Sequence, residues 1–594
     1  MRVLQSCFAL ICFSMASLLV SSGALALVPG ERVDNFRLLD HEGESHELYY
    51  HSDASAVVFM VHGNGCPIVR NALPRYRELR DAYANKGVVF RLLNANLQDN
   101  RTSIAAEAAK FGIDIPILMD DTQLIGEALG LVRTAEVFVI DPKTWKVVYR
   151  GAMDDRLGYE TQKVEANHHF LADTLDAMLD DETIVVASTD ALGCLINLPE
   201  AGKREQHASI SYTRDIAPLL IERCITCHRE GGIGPWAMTD YNMVRGFAPM
   251  IREVVRTGRM PPWHADPAHG SFSNDRSLSK EQTQTLVHWI EAGAPRGDGP
   301  DPLAEFEHDW QEWALGEPDL VLDIPGYEVP ATGVVDYQYQ HVRNPHDRDV
   351  WVRAAEILPG DRAVLHHVIT TFTTPGPDGK LDRRRSQSLG GYVPGAEADE
   401  FPEGTGTLLP AGAVFTFQMH YTTSGRASTD HSRLGIYFHD EQPEHRLGGA
   451  VLMNTKINIP AHSKDHEEYA SRVLDADVLL YSLLPHAHFR GKASEFRAIY
   501  PDGTEEILLS VPNYDFNWQT TYVLSEPKLL SKGTKVVHAT RWDNSAQNMA
   551  NPDPTRDIPW GQQSWDEMLF GAISWRYVDD ADRERNIEVT SSGD

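Results

Sequence analysis

The hydrophobic period changes twice along these 594 residues, and no single sheet or helical bundle can satisfy all three patterns. Over residues 28–185, apolar runs at 56–61 and 88–93 read as buried parallel strands, with a helix-compatible stretch at 67–85 between them. Runs at 136–140 and 146–149 flank Asp141-Pro142-Lys143-Thr144, a good turn between antiparallel strands, and 164–179 reads as a closing helix. That layout is α/β. Residues 186–208 form a linker without strong periodicity. Over 209–300 the pattern is helical: Ile216, Leu219, Leu220 and Ile225 begin it. Ser279 and Gln282 can make a capping box for a helix through Leu286, Trp289 and Ile290, which Gly293 and Pro295 end. From about 315 onward, short strand-like runs alternate with turns such as Pro501-Asp502-Gly503. This predicts two consecutive all-β sandwich domains, over 315–460 and 461–590.

A formal net charge of −31 argues against nucleic acid or an anionic membrane as partner, since both need clustered Lys and Arg. Residues 1–26 read as a signal peptide: Arg2 opens them, 8–20 are largely apolar, and Ala24-Leu25-Ala26 is a cleavage site. The expected location is periplasmic or secreted. No later segment is long and apolar enough to span a bilayer. Cys7 and Cys12 leave with the signal, so Cys66, Cys194, Cys224 and Cys227 remain. They are too few for a disulfide-built scaffold, and each needs its own explanation.

Cys224-Ile225-Thr226-Cys227-His228 is the sharpest motif. Two thiols at this spacing can form thioethers with both vinyl groups of a haem, and the adjacent histidine becomes an iron ligand. A zinc site would need two further partners, and no second Cys-x-x-Cys exists. The segment resembles small monohaem cytochrome c domains, which implies an all-α domain and a distal ligand. Met260, in Gly258-Arg259-Met260-Pro261-Pro262-Trp263, stands where such domains place a methionine; His264 is its rival, with Met238 and Met243 behind.

Three histidine groupings fall in the β-rich region: His366-His367, His420 within 414–421, and His486-Ala487-His488. In His-x-His both imidazoles leave one face of a strand and can grip one ion. In the strand around His420, alternation puts Phe415, Phe417, Met419 and Tyr421 on one face and His420 on the other. His366 and His367 would point apart on a regular strand, so joint ligation needs an irregular or terminal position. Imidazole with thioether favours copper.

The order His-His, Gln-x-His-Tyr, His-x-His and a late Glu-Met resembles the copper type II, ascorbate-dependent monooxygenases, the family of the peptidylglycine α-hydroxylating and dopamine β-monooxygenases. The resemblance runs over residues 318–580. It implies two jelly-roll-like sandwiches holding two separate copper ions. His366, His367 and His420 would hold the electron-transfer copper; His486, His488 and the thioether of Met568 would hold the catalytic one, with Met549 as rival to Met568. It also implies hydroxylation of a C–H bond of a small organic substrate by O2, on electrons from an external donor. The haem c of the same chain is expected to relay those electrons, since tethering raises its effective concentration. An electron-transfer protein without oxygenase activity is the alternative. Unlike the animal enzymes, this region has no cysteine.

In the first domain, the 57–61 strand, then His62-Gly63-Asn64-Gly65-Cys66-Pro67, then a helix, resembles the thioredoxin-like redoxins. A thiol at a helix N-terminus has its thiolate stabilised. There is no Cys-x-x-Cys, and Ala135 stands where the fold normally has a cis-proline. Cys194, in the linker, is the candidate partner of Cys66, as a cycling thiol pair or a static disulfide; an inert domain is the third reading.

Overall fold

The computed structural model describes residues 27–158, 161–308, 310–382, 385–395 and 398–578; the expected signal peptide lies outside them. The strand Ala56–His62 is buried at every position, because it is the centre of a five-stranded sheet. The order is Ile117–Met119, Val88–Asn94, Ala56–His62, Val137–Asp141, Lys146–Gly151. The first three strands run parallel, and the last two join antiparallel. Period-two alternation splits the central strand between two cores. Val58 and Met60 meet Val69, Leu73 and Tyr76 of the helix Pro67–Tyr83, while Val57, Phe59 and Val61 meet Phe36, Ile125 and Phe138. The closing helix starts at Phe170, later than the sequence suggests. The Asp155 carboxylate accepts from the backbone N–H of Asn167 and of His168 and holds that approach as a loop.

The helical segment contains Ala217–Arg223, Tyr241–Arg256 and Lys280–Glu291 around a core that includes Tyr212, Leu220, Val244 and Trp289. The Ser279 hydroxyl accepts from the N–H of Gln282, whose side chain returns to the Ser279 N–H. The stretch joining the last two helices leaves this core. Trp263, Ala265 and Phe272 pack on the last β-rich unit instead.

The remainder is β-rich. A four-stranded sheet, Gln338–Arg343, Val414–Tyr421, Leu365–Thr373, Gln387–Tyr392, faces a second sheet built around Val350–Leu358. Phe415, Phe417 and Met419 from one meet Val352, Ile357 and Ile436 from the other. Two further four-stranded sheets follow. One is ordered Gly448–Asn454, Leu569–Tyr577, Val478–His486, Tyr522–Leu530; the other is His466–Val473, Lys535–Trp542, Gly491–Ile499, Glu505–Val511. Gly448–Asn454 pairs along its whole length with Leu569–Tyr577, so the division between the halves falls before Gly448 and not at 460/461. Among the described residues no helix is long and apolar enough to cross a membrane.

Candidate metal centre and thiol pair

His366 and His367 open the strand Leu365–Thr373, and its pairing with Val414–Tyr421 slips between Leu365 and His367. This bulge supplies the irregularity that neighbouring ligands need. It brings the two Nδ1 atoms to 3.2 Å, and His420, opposite His367 in the ladder, sets its own Nδ1 3.4 Å from that of His367. One ligand atom from each of the three lies within 4.8 Å of the others. Phe415, Phe417, Met419 and Tyr421 point into the sandwich core, so His420 leaves the opposite face. There the Ser564 hydroxyl lies 3.1 Å from its Nε2.

His486 ends its strand and His488 follows it, with ring centroids 5.1 Å apart. The Gln519 amide nitrogen donates to the Phe516 carbonyl, which turns its oxygen to His486 Nδ1 at 2.7 Å. Nδ1 therefore carries the hydrogen, and the Nε2 lone pair is open. His488 Nδ1 faces the Asp566 carbonyl at 3.4 Å, and its buried Nε2 has no hydrogen-bond partner among the described residues. The sequence separates these groupings into two centres; the structure sets them side by side. The rings of His367 and His486 are 6.2 Å apart. Phe516 stacks on His366 at 4.7 Å and presents its edge to His488 and His420.

Burial holds every one of these imidazoles neutral. It lowers His366 and His486 to about 4 and His420 to about 3, and pushes His367 and His488 well below the ordinary value. Neutral, converging nitrogens with unpartnered buried Nε2 atoms on His366 and His488 fit a soft or borderline metal. Antiparallel pairing ends at His486 opposite Phe570, and half-buried Met568 directly precedes the partner strand Leu569–Tyr577, its N–H donating to the Glu567 carboxylate. Met549 is 93% exposed.

The neighbouring Glu567 is buried, accepting from the N–H groups of His488 and Arg490 and from the Trp542 indole at 2.9, 2.6 and 2.9 Å. Burial raises its carboxyl to about 7 against these bonds. In the sequence Glu567 stands out only as the residue before Met568; Phe516, Gln519 and Ser564 had no signal there, because each acquires its role only through the fold.

Cys224 caps the helix Ala217–Arg223, and Cys227 and His228 follow in turns. The Trp236 carbonyl lies 3.0 Å from His228 Nδ1, which therefore carries the hydrogen and leaves Nε2 to bind a metal. Burial keeps this imidazole neutral and raises the Cys224 thiol to about 12. None of the four described cysteines is disulfide-bonded. Two thiols and an open Nε2 fit a covalent haem. Met260 is half-buried just beyond the helix Tyr241–Arg256, its N–H donating to Val254. The rival His264 is held among residues that pack on the last sandwich, and Met243 is exposed.

Cys66 precedes the helix Pro67–Tyr83, and its Sγ lies 3.1 Å from that of Cys194. The linker docks like an added strand: the Thr134 N–H donates to the Cys194 carbonyl, and the Ile196 N–H to Val132. The Thr134 hydroxyl accepts from the Cys194 N–H and lies 3.0 Å from Cys66 Sγ. Burial opposes ionisation of Cys66, but hydrogen bonds from Thr134, the Val69 backbone and Cys194 outweigh it and lower its pKa. Contact with Cys66 raises that of Cys194. The pair is thus polarised into nucleophile and partner. Ala135, in the expected cis-proline position, adopts a φ of 59°.

A family model described as Redoxin matches residues 28–167. Among solved structures, an uncharacterized conserved protein from Geobacillus kaustophilus is 25% identical, with 30% of this chain and 94% of that one covered at a TM-score of 0.27. A hypothetical protein from Sinorhizobium meliloti is 24% identical, covering 29% and 95% with a TM-score of 0.26. A peroxidoxin from Mycobacterium tuberculosis is 20% identical, covering 26% and 97% with a TM-score of 0.21. No curated protein matches. Residues 28–167 are therefore a redoxin domain with a thioredoxin-like fold, set ahead of a large β-rich region.

Proposed function

We propose that the chain is a copper-dependent monooxygenase that hydroxylates a C–H bond of a small organic substrate with O2, drawing electrons through a covalently attached haem c. The observation that carries this reading is the single buried cluster of His366, His367, His420, His486 and His488, contributed by both sandwiches. His366, His367 and His420 would hold one copper, and His486, His488 and Met568 the other; Cys224, Cys227 and His228 would hold the haem, with Met260 as distal ligand. When bound, copper supplies O2 activation and haem supplies single electrons.

The chain's own residues set the conditions. Gln519 and the Asp566 carbonyl orient His486 and His488, and Phe516 excludes water between the groupings. Tyr392 pairs with Val368, next to His367. Burial raises its pKa. The test is metal analysis together with substrate-dependent uptake of labelled O2. Two coppers and one haem per chain, with label entering product, are expected. Metal binding without labelled product would leave an electron carrier, and fewer than two coppers would overturn the reading.

A second activity rests on the Cys66–Cys194 contact: the redoxin domain exchanges electrons with an external dithiol or disulfide through this pair. The Cys66 thiolate attacks one sulfur of an external disulfide and expels the other as a thiolate. Cys194, once deprotonated, then attacks Cys66 Sγ, the remaining substrate sulfur departs as a thiolate, and the Cys66–Cys194 disulfide and a reduced external dithiol result. Mass spectrometry after mild oxidation should show the Cys66–Cys194 disulfide, and its loss with a weak thiol reductant. A bond that resists the reductant would make it a static staple.

A further inference from the structure

One short loop of the last sandwich reaches both histidine groupings. It runs from Gly561 to Met568, just ahead of the strand Leu569–Tyr577, and it closes on itself: the Gly561 N–H donates to the Glu567 carbonyl at 3.0 Å, and the Asp566 N–H to the Gln563 carbonyl at 2.9 Å. It has little slack, since a Cβ on Gly561 would lie 2.2 Å from the Asp566 carboxylate. Its first half faces the first sandwich. Ser564, 3% exposed, sets its hydroxyl 3.1 Å from His420 Nε2. Gln562 Oε1 accepts from the Tyr339 hydroxyl at 2.9 Å, and that hydroxyl accepts at 2.7 Å from Gln418, on the strand of His420. Its second half holds the other grouping. The Asp566 carbonyl faces His488 Nδ1, the Glu567 carboxylate accepts from the His488 N–H, and Met568 places its own N–H on that carboxylate.

The position of one hydrogen on His420 links the two halves. In the three-histidine grouping it is the Nδ1 atoms that converge: those of His366 and His420 lie 3.2 and 3.4 Å from that of His367. A metal bound there takes the Nδ1 lone pair of His420, which keeps the hydrogen on Nε2 and makes Ser564 Oγ its acceptor. Ligation also withdraws charge from the ring, so that N–H becomes a stronger donor. The Ser564 bond therefore tightens when the first centre fills, and the closed loop carries the gain to the groups that hold His488.

We infer that Ser564 is a positioning residue that couples the two centres. Metal at His366, His367 and His420 draws the 561–568 loop onto His420 and so strengthens binding at His486, His488 and Met568; by linkage, the reverse holds equally. The inference rests on the copper reading above.

Copper(I) is titrated against a competing chelator into the full chain and into the single-centre variants His366→Ala/His367→Ala and His486→Ala/His488→Ala, each with and without Ser564→Ala. The product of both binding constants in the two-centre protein, divided by the product of the constants of the two single-centre variants, is the coupling factor. Repulsion between the two ions lowers it equally with and without Ser564, so the share of the loop is the ratio of the two factors. Ser564→Ala should cut the factor at least about fivefold. A variant that weakens both centres yet leaves the factor within about twofold of wild type makes Ser564 a structural tie only, and overturns the coupling. Should Ser564→Ala fail to fold, hydrogen exchange decides. Filling His486→Ala/His488→Ala with one equivalent of copper should slow exchange across 561–568 about fivefold, and unchanged exchange overturns the proposal. Fewer than two coppers on wild type overturns the copper reading and the coupling with it; two coppers with an unaltered factor overturns the coupling alone.

Discussion

At the scale of single residues, chemistry here depends on which atom each side chain is forced to offer. His486 donates from Nδ1 because Gln519 presents an oxygen, and Gln519 does so because its nitrogen is engaged by Phe516. Gln519→Leu should therefore free the ring of His486 and weaken metal binding about tenfold to a hundredfold, measured by competition with a copper chelator. Thr134 plays the equivalent part for Cys66. Its hydroxyl is a leading cause of the lowered thiol pKa, burial acting the other way. A lowered thiol pKa means that thiolate is present at lower pH and lost only as pH falls through that value. Thr134→Val should thus shift the pH profile of Cys66 alkylation upward and slow the reaction at neutral pH. An unmoved profile would remove Thr134 from this role. The histidines were legible as residues, since their spacing is visible along the chain. Phe516, Gln519 and Thr134 were not, because nothing in their own neighbourhoods distinguishes them from ordinary turn and core residues.

At the scale of elements, two devices hold the cluster. The first is the bulge at the start of Leu365–Thr373, braced by close pairing with Gln387–Tyr392. A Cβ on Gly391 would sit 2.1 Å from the Val368 carbonyl oxygen, so Gly391→Ala must push the two strands apart next to His367. A loss of about 1–3 kcal/mol is expected on chemical denaturation, with copper affinity falling in parallel. The second is the loop before Leu569–Tyr577, where Glu567 gathers the His488 and Arg490 N–H groups and the Trp542 indole. Glu567→Ala strands these buried donors and should cost about 3 kcal/mol or more; Glu567→Gln, keeping one acceptor oxygen, should cost less. Sequence periodicity located the strands that carry the histidines. It also flagged the need for an irregularity at His366-His367, but a register slip is a property of two strands and cannot be read from one.

At the scale of the molecule, five imidazoles from two sandwiches share one buried patch, so metal loading and domain docking are linked. Copper should slow hydrogen exchange in both Leu365–Thr373 and Val478–His486, and His486→Ala should abolish the protection of the second strand while reducing that of the first. Protection confined to one sandwich would show that the two groupings load independently. Local order along the chain was enough to reveal three patterns of secondary structure, the α/β character of the redoxin domain, and the histidines and cysteines that stand in short motifs, because side-chain period and short motifs are one-dimensional. Tertiary structure alone decided that Cys194 meets Cys66 from the linker, that Gly448–Asn454 belongs with Leu569–Tyr577, and that the two histidine groupings are neighbours. Each of these is a contact between segments far apart in sequence, and such contacts are selected by burial and strand pairing in the assembled fold, which no local pattern encodes.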